Sequence, residues 1–437
     1  MAEEKQITSS PKNHSLDNND NFSNDGRFLV YDTRESVGPG IENSQSIEKV
    51  EIATGVETVL YQPEPTIIGE KAAPGVAAAS YSPVENRVIF IHGPLVSEVP
   101  ARGYYAKPNR TGAEVLADGS GELRWLDKRD PDSTRNTIPG AHRGGTHRHE
   151  YTLDGKRIGF TYDDVILTQY QRTIGYMEKN AKAPEGATHY FALLVPVVPK
   201  GTSKPGELEL AQSDSWVGRR GYLRAFIGTV RADDGVAYQD SLFVIDVPAD
   251  VDITTVDSGG PNRFPSPPKG VSIRRLTHTW AAGVVRGALD GDRIAYYGHA
   301  PDGSTQIFVI PSNGSDRDPD PAKHPVQATH FPDGVGPSFL RWHPSGNSIL
   351  CISNGGVVST CVKPGPDFGK SVLITPQGDK PPRGELVLSL DGKTVAFTKP
   401  MPTLDAKGKP AKTYAGSDYL QIFVMDFPDA NGDGITD

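Results

Sequence analysis

The sequence has little of several things on which common protein classes depend. It contains two cysteines among 437 residues, Cys351 and Cys361, which are too few for a disulfide framework. One bridge, two thiols buried on strands and a metal thiolate remain open for this pair. No run of about 18 apolar residues occurs, so no membrane-spanning helix is predicted. We expect a secreted or periplasmic protein; the first residues include no apolar signal region, so on this expectation the signal peptide is absent from this sequence.

Positive charge is also scarce, since the formal net charge is -9. Proteins that bind nucleic acid usually carry a basic surplus, so we expect no nucleic acid as partner. A local basic groove can exist on an acidic protein, so a polyanionic ligand remains possible. We expect no membrane partner and a monomer.

Glycine and proline are plentiful, with 47 and 37 residues spread along the chain. A short phrase recurs with them, in which a turn, usually Asp-Gly, precedes an alternating apolar strand. Asp-Gly supplies the positive φ that a tight hairpin turn needs. The phrase occurs at residues 21–31, 79–90, 150–160, 224–235, 287–296, 341–350 and 387–397.

Third and fourth strands follow most copies, so the sequence predicts an all-β, seven-bladed propeller of four-stranded antiparallel blades. The phrases resemble the Asp-Gly propeller repeats of the TolB type. We expect residues 6–8 to pair with residues 421–426 and close the ring, which removes an exposed edge. Two stacked β-sandwiches are the alternative. The domain prediction is a propeller over residues 1–428 and a linker over residues 429–437.

The densest polar cluster lies just before the third phrase, in the run from Gly140 to His149. Loops that lead into the innermost strands of a propeller crowd around one mouth of the channel, where function tends to lie. On a regular strand two residues apart share a face, so His147 and His149 are expected to point the same way. We take His142, His147 and His149 as candidate catalytic residues and Arg143 as a substrate contact.

Corresponding loops of other blades add further candidates. Several arginines there would converge on the same mouth, which favours an anionic substrate, because guanidinium groups match carboxylates and sulfates. The candidate substrate-binding residues outside the third blade are Asn19, Arg219, Arg224, Trp280 and Arg286.

The run Gly-Ala-His-Arg-Gly-Gly-Thr-His-Arg-His from Gly140 to His149, together with the Trp-Val-Gly of residues 216–218, resembles the ulvan lyases. These are β-propellers of polysaccharide lyase families 24 and 25, and the likeness also includes uncharacterised bacterial relatives. The motif Arg-Gly-Gly-Thr-His-x-His is its specific part, whereas the Asp-Gly phrases occur in unrelated propellers.

The resemblance implies a lyase that cleaves a sulfated uronic-acid polysaccharide by β-elimination, without a catalytic metal. Carried over by motif, His147 is the channel histidine, Tyr222 is near the family's tyrosine, and Arg224 or Arg286 would neutralise the uronate carboxylate. The family has a second histidine about twenty residues earlier, where this chain has residues 123–127 without one. His142, His149 or His92 would have to replace it.

Two other functions remain open, a propeller that only binds carbohydrate or protein, and a metal-dependent lyase of the oligogalacturonate type. The final residues resemble a calcium loop, because Asp429, Asn431 and Asp433 place oxygen ligands at alternate positions. A structural divalent metal, calcium or zinc, is therefore a further expectation.

Overall fold

The computed structural model describes residues 3–17, 20–38 and 40–428. Its first two blades and the strand that precedes them contain eight strands. They are β1 (Lys5–Gln6), β2 (Phe28–Asp32), β3 (Ile47–Glu51), β4 (Glu57–Tyr61), β5 (Val76–Tyr81), β6 (Arg87–His92), β7 (Thr111–Leu116) and β8 (Leu123–Trp125).

Blades three to five follow with four strands each. They are β9 (Gly145–Tyr151), β10 (Arg157–Asp163), β11 (Thr173–Lys179) and β12 (His189–Leu193), then β13 (Leu208–Val217), β14 (Leu223–Arg231), β15 (Tyr238–Asp246) and β16 (Ser272–Arg275), then β17 (Ala281–Gly287), β18 (Arg293–His299), β19 (Thr305–Pro311) and β20 (Val326–Gln327).

Blades six and seven complete the ring. Their strands, with a small hairpin formed by β27 and β28, are β21 (Arg341–Trp342), β22 (Ser348–Ser353), β23 (Gly356–Cys361), β24 (Ser371–Leu373), β25 (Gly384–Leu388), β26 (Thr394–Met401), β27 (Thr403–Leu404), β28 (Pro410–Ala411) and β29 (Tyr419–Asp426). Among the described residues, helix is confined to α1 (Val99–Arg102) and to single 3₁₀ turns at Ile41–Asn43, Val96–Glu98, Ile253–Thr255 and Pro321–Lys323.

The predicted seven-bladed, antiparallel propeller is confirmed. In the first blade the innermost strand is irregular, and it is attached to β2 through bridges from Ser15 to Asp32 and from Phe22 to Leu29. The predicted closure is also confirmed, because Gln6 pairs with Phe423 of β29 and the ring is joined there. None of the described helices is long and apolar enough to cross a membrane.

Apolar clusters at the junctions between neighbouring blades form the core. At the junction of the last and first blades, for example, Leu16 and Tyr31 pack with Val387 and Ile422, and all four are at most 1% exposed. The two cysteines are buried on β22 and β23 and form no disulfide, which confirms the interpretation as thiols buried on strands. Burial raises the pKa of Cys351 to about 12.

The innermost strands of the seven blades surround a central channel, and its two ends differ. The loops that lead into the innermost strands, such as residues 140–144 before β9, surround one end, which we call the loop mouth. The Asp-Gly turns that follow those strands, such as residues 153–155 after β9, surround the other end, which we call the turn mouth.

Candidate functional site

His147 lies near the start of β9, where it pairs with Thr161 of β10. The ladder between these strands is irregular just beyond it, and the next residue, Arg148, has a φ of 56°. An extra residue of this kind forms a bulge and re-aims the side chains on either side of it. His147 is half-buried, whereas His149 is completely buried, and the bulge between them interrupts the alternation from which the two side chains are expected to point the same way.

The hydrogen bonds of His147 define which ring nitrogen is basic. The Thr161 hydroxyl donates to the backbone oxygen of His147 at 3.3 Å, and the hydroxyl oxygen of Thr161 lies 3.3 Å from Nδ1 of the His147 ring. Since the hydroxyl proton is already used, Nδ1 carries the ring proton and Nε2 is the proton acceptor. Burial, followed by the charges of Arg110 and Arg172, holds the pKa of His147 well below its usual value. The imidazole is therefore a neutral base near pH 7.

The neighbours of His147 form a charged group at the loop mouth. Arg110 and Arg172 both bind the carboxylate of Asp163, at 3.4 and 2.9 Å. Arg110 also donates to the hydroxyl of Tyr105 at 3.1 Å. Burial raises the pKa of Tyr105, so its hydroxyl keeps its proton. A neutral base, a protonated phenol and guanidinium groups thus occur in one neighbourhood.

Sequence reasoning missed Arg110, Arg172 and Tyr105, because it considered only the loops before the innermost strands. Adjacent strands of a blade are antiparallel, so the third strand starts at the same mouth as the first. Arg110 precedes β7 and Arg172 precedes β11, which are the third strands of their blades. The repeated dipeptide Arg-Thr at these two places could have revealed them.

His142 and His149 do not reach the mouth, since both are 0% exposed. His142 packs against Phe191, with 5.1 Å between ring centroids, and its Nε2 lies 3.4 Å from Asp127. His149 contacts the hydroxyl of Thr146 at 3.1 Å, and burial lowers its pKa to about 4. In this conformation neither can touch a substrate, so their prediction as catalytic residues is corrected. The third proposed replacement, His92, is also buried.

Two predicted substrate contacts are structural arginines, and each is 0% exposed. Arg143 binds Asp164 at 2.8 Å and the backbone oxygens of Gly260 and Arg263. Arg224 lies between Asp214 and Glu150 and over the ring of Trp216. Their ionic partners are within the protein because a buried guanidinium must be paired, which removes both from the substrate-binding set.

Tyr222 is distant from His147 along the blades. It lies in the turn between β13 and β14 and is 40% exposed. Its ring is 5.6 Å from the guanidinium of Arg157 and lines a groove with Tyr151 and Asp154, at the far end of β9. The exposed Arg219 belongs to the same turn. The structure therefore does not bring Tyr222 and His147 together.

The remaining predicted residues have separate positions. Trp280 precedes β17 and stacks on His299, with 4.0 Å between centroids. Arg286 is on β17 inside the channel. Asn19 and the proposed calcium ligands lie outside the described residues, and the latter are Asp429, Asn431 and Asp433. In the described part of the chain, no three His, Cys, Asp or Glu side chains are grouped so that they could hold a metal ion.

Comparison with known proteins identifies a similar family and a similar protein sequence, neither of which has a described activity. Residues 75–183, which include the motif around His147, match a family described as a protein of unknown function, DUF3748. The chain is 28% identical over 425 residues to the uncharacterized protein YidR of Escherichia coli (strain K12), which covers 90% of this chain and 94% of YidR.

The solved structures to which the chain is similar are distant in sequence. TolB from Acinetobacter baumannii is 9% identical with a TM-score of 0.40, and the match covers 92% of this chain but 64% of that one. The periplasmic gluconolactonase PpgL of Pseudomonas aeruginosa is 14% identical with a TM-score of 0.44, over 90% of this chain and 99% of that one.

Proposed function

We propose that the protein is a polysaccharide lyase that cleaves a sulfated uronic-acid polysaccharide, ulvan in the first instance, by β-elimination at the loop mouth. The observation that carries the proposal is His147, a neutral base beside Arg110 and Arg172. The sequence motif around His147 and its resemblance to the ulvan lyases provide the substrate class.

The reaction needs a base, an acid and neutralisation of the uronate carboxylate. The guanidinium of Arg172, which is half-buried whereas that of Arg110 is buried, pairs with the carboxylate and acidifies the proton at C5 of the uronate. Nε2 of His147 takes that proton, the C4=C5 double bond forms, and the bond from C4 to the leaving oxygen breaks. The hydroxyl of Tyr105 gives its proton to that oxygen. The products are an unsaturated uronate and a new reducing end.

Tyr105 has this role in place of Tyr222. The Tyr105 hydroxyl accepts a hydrogen bond from Arg110, and the charge of Arg110 also acts on His147, so Arg110 links the two groups. Tyr222 instead adjoins Tyr151 and Asp154 near the turn mouth. With Tyr105 as the acid, Tyr105→Phe should lose more activity than Tyr222→Phe. The sequence alone predicts the opposite, because it identifies Tyr222 as the catalytic tyrosine.

The test is incubation with ulvan and with other uronate polymers, while the ultraviolet absorbance of the unsaturated product is recorded. We expect His147→Ala to lose about 10²–10⁴-fold in rate, the usual contribution of a placed proton carrier. Tyr105→Phe should lose a comparable factor with substrate binding retained. Tyr222→Phe is the matched control and should keep near-normal turnover, and thermal unfolding verifies that each variant is folded.

Three outcomes would contradict parts of the proposal. Full activity of His147→Ala removes the base. Loss of activity in Tyr222→Phe, with Tyr105→Phe unaffected, returns the acid to the turn between β13 and β14. Activity that disappears with a chelator favours the metal-dependent alternative.

The second candidate is a propeller that binds anionic carbohydrate without cleaving it. It is favoured by the complete burial of His142 and His149, which leaves His147 as the one histidine of the motif with partial exposure. No product from any polymer, combined with ulvan binding that Arg172→Ala weakens, would select this function. A secreted or periplasmic location and a monomeric state are part of both proposals.

A further inference from the structure

The turn mouth of the channel contains a second concave site, on the side opposite to His147. A rim of five apolar residues surrounds it, each next to or within the turn after an innermost strand. They are Pro83, Leu153, Leu289, Pro344 and Leu390. All five are half-buried, so the rim presents hydrocarbon to whatever enters the channel from this side.

Aromatic side chains form the wall directly inside the rim. They lie at or near the ends of the innermost segments of blades one to four and of blade six, and they are Phe22, Tyr81, Tyr151, Trp216 and Trp342. Each is between 4% and 8% exposed. The cavity they enclose has a volume of about 150 Å³, a size comparable to cavities that accept a benzene ring.

The polar atoms of this wall are already used between blades. Trp216 donates from Nε1 to the backbone oxygen of Glu150 at 3.0 Å, and Trp342 donates to that of Arg286 at 2.8 Å. The hydroxyl of Tyr151 donates to Glu114. These three rings therefore offer faces and edges to the cavity, which suits an apolar body better than a polyhydroxylated one.

Charged side chains lie at the inner end of the cavity. Asp20, Glu150, Arg286 and Arg341 line it, and Arg148 acts electrostatically on the two acids. We call these five residues the central charged cluster. Glu150 also contacts Arg224, which Asp214 binds as well.

The charges of the central charged cluster do not balance. With the Arg224–Asp214 pair neutral, the cluster has three guanidinium groups and two carboxyl groups, an excess of one positive charge. Burial, followed by Arg341 and Arg148, lowers the pKa of Arg286 well below its usual range. An added anion would relieve this mutual repulsion.

We propose that the turn mouth binds a small carboxylate with an aromatic or alkyl body. The carboxylate meets the central charged cluster, and the body fills the space between the aromatic wall and the apolar rim. This site is independent of the lyase activity, because its ligand enters from the opposite mouth and touches neither His147 nor Tyr105.

Four probes separate charge from apolar body. They are phenylpropionate, octanoate, the neutral analogue phenylpropanol and the polar carboxylate glucuronate, each titrated into the full chain by calorimetry. We expect phenylpropionate or octanoate to bind with a single site, and phenylpropanol and glucuronate each to bind at least about tenfold more weakly, since each lacks one half of the recognition. Tryptophan fluorescence provides a second signal, because Trp216 and Trp342 are in the wall.

The variant that tests the location of the binding site is Leu153→Asp, which adds a negative charge to the apolar rim. Leu153 is half-buried and lies in a turn, so we expect the variant to fold. It should weaken binding of the carboxylate roughly tenfold or more. Val236→Asp is its matched control, because Val236 is 77% exposed in another turn and receives the same charge. It should bind as the original protein does.

Several results would overturn the proposal. They are no binding of either apolar carboxylate, glucuronate binding as tightly as phenylpropionate, and unchanged affinity in Leu153→Asp. A failure here leaves the proposed elimination untouched, since that reaction is measured by its unsaturated product and by the His147→Ala variant.

Discussion

The buried His92 gives the protein a specific sensitivity to acid. Its ring is 0% exposed and lies between Tyr61 and the backbone oxygen of Gly93. A carbonyl only accepts, so Nδ1 carries the proton and Nε2 accepts from the Tyr61 hydroxyl. Burial is the largest cause that lowers the pKa of His92, to about 4 from 6.5.

The sign of the effect follows from linkage. As the pH falls below 6.5, the unfolded chain takes up a proton at His92 before the folded protein does, so the free energy of unfolding decreases. Between about pH 7 and about pH 5 the loss from this one residue is on the order of 2 kcal/mol. That is a large part of a typical total stability of about 5–15 kcal/mol.

The perturbation is His92→Gln, which removes the titrating ring. Urea unfolding at about pH 7 and about pH 5 measures the stability of both proteins, and the variant should lose on the order of 2 kcal/mol less over this interval. Ile91→Val is the control, because it weakens the same strand by about 0.5–1.5 kcal/mol without a titrating group. The reasoning is refuted if His92→Gln and the original protein lose equal stability on acidification.

Two further predictions concern the thiols and the ring closure. Cys351 and Cys361 should resist alkylation by iodoacetamide in the folded protein and react fully in urea, because both are buried and burial raises the pKa of Cys351 to about 12; mass spectrometry that finds rapid native labelling would contradict this. Deletion of residues 1–6 removes the partner of β29, so the thermal midpoint should fall and light scattering should show association through the exposed edge, whereas an unchanged melt would mean that this pairing contributes little.

The architecture could be predicted because its signal is local and repeated. Each Asp-Gly turn needs positive φ, as at Gly155 with 69°, and seven copies of one phrase leave few alternatives to a ring. The closure was predictable because residues 6–8 look like the outer strand that the last blade lacks. Gln6 pairs with Phe423 for that reason.

The site could be predicted only in part. The sequence shows where charged residues occur along the chain, but it does not show which way each side chain points or which group pairs with it. Arg143 and Arg148 belong to one motif, yet Arg143 is buried against Asp164 whereas Arg148 donates to the backbone oxygen of Asp214 and is part of the central charged cluster. Asp164 and Asp214 come from distant parts of the sequence, so nothing near the motif distinguishes the two arginines.

The bulges explain why strict alternation failed. Irregular pairing occurs in the innermost strands of five blades, in each case at a residue with positive φ. These residues are Ala78, Arg148, Ser213, Gly283 and Glu385, and four of them are not glycine. A non-glycine residue in this region costs of order 1–3 kcal/mol and persists only where its surroundings hold it. Here carboxylates of neighbouring blades help to do so.

Two of these contacts show how the strain is held. Asp32 of the first blade accepts the backbone N–H of Ala78 at 2.9 Å, and Glu385 of the last blade accepts that of Leu16 at 3.0 Å. The acids are therefore used as structural acceptors between blades, and they do not add to the negative charge available to a ligand. In the third blade the bulge separates His147, which lies before it, from Glu150 and Tyr151, which lie after it and line the turn mouth. One strand, β9, thus supplies His147 to one proposed site and Glu150 and Tyr151 to the other.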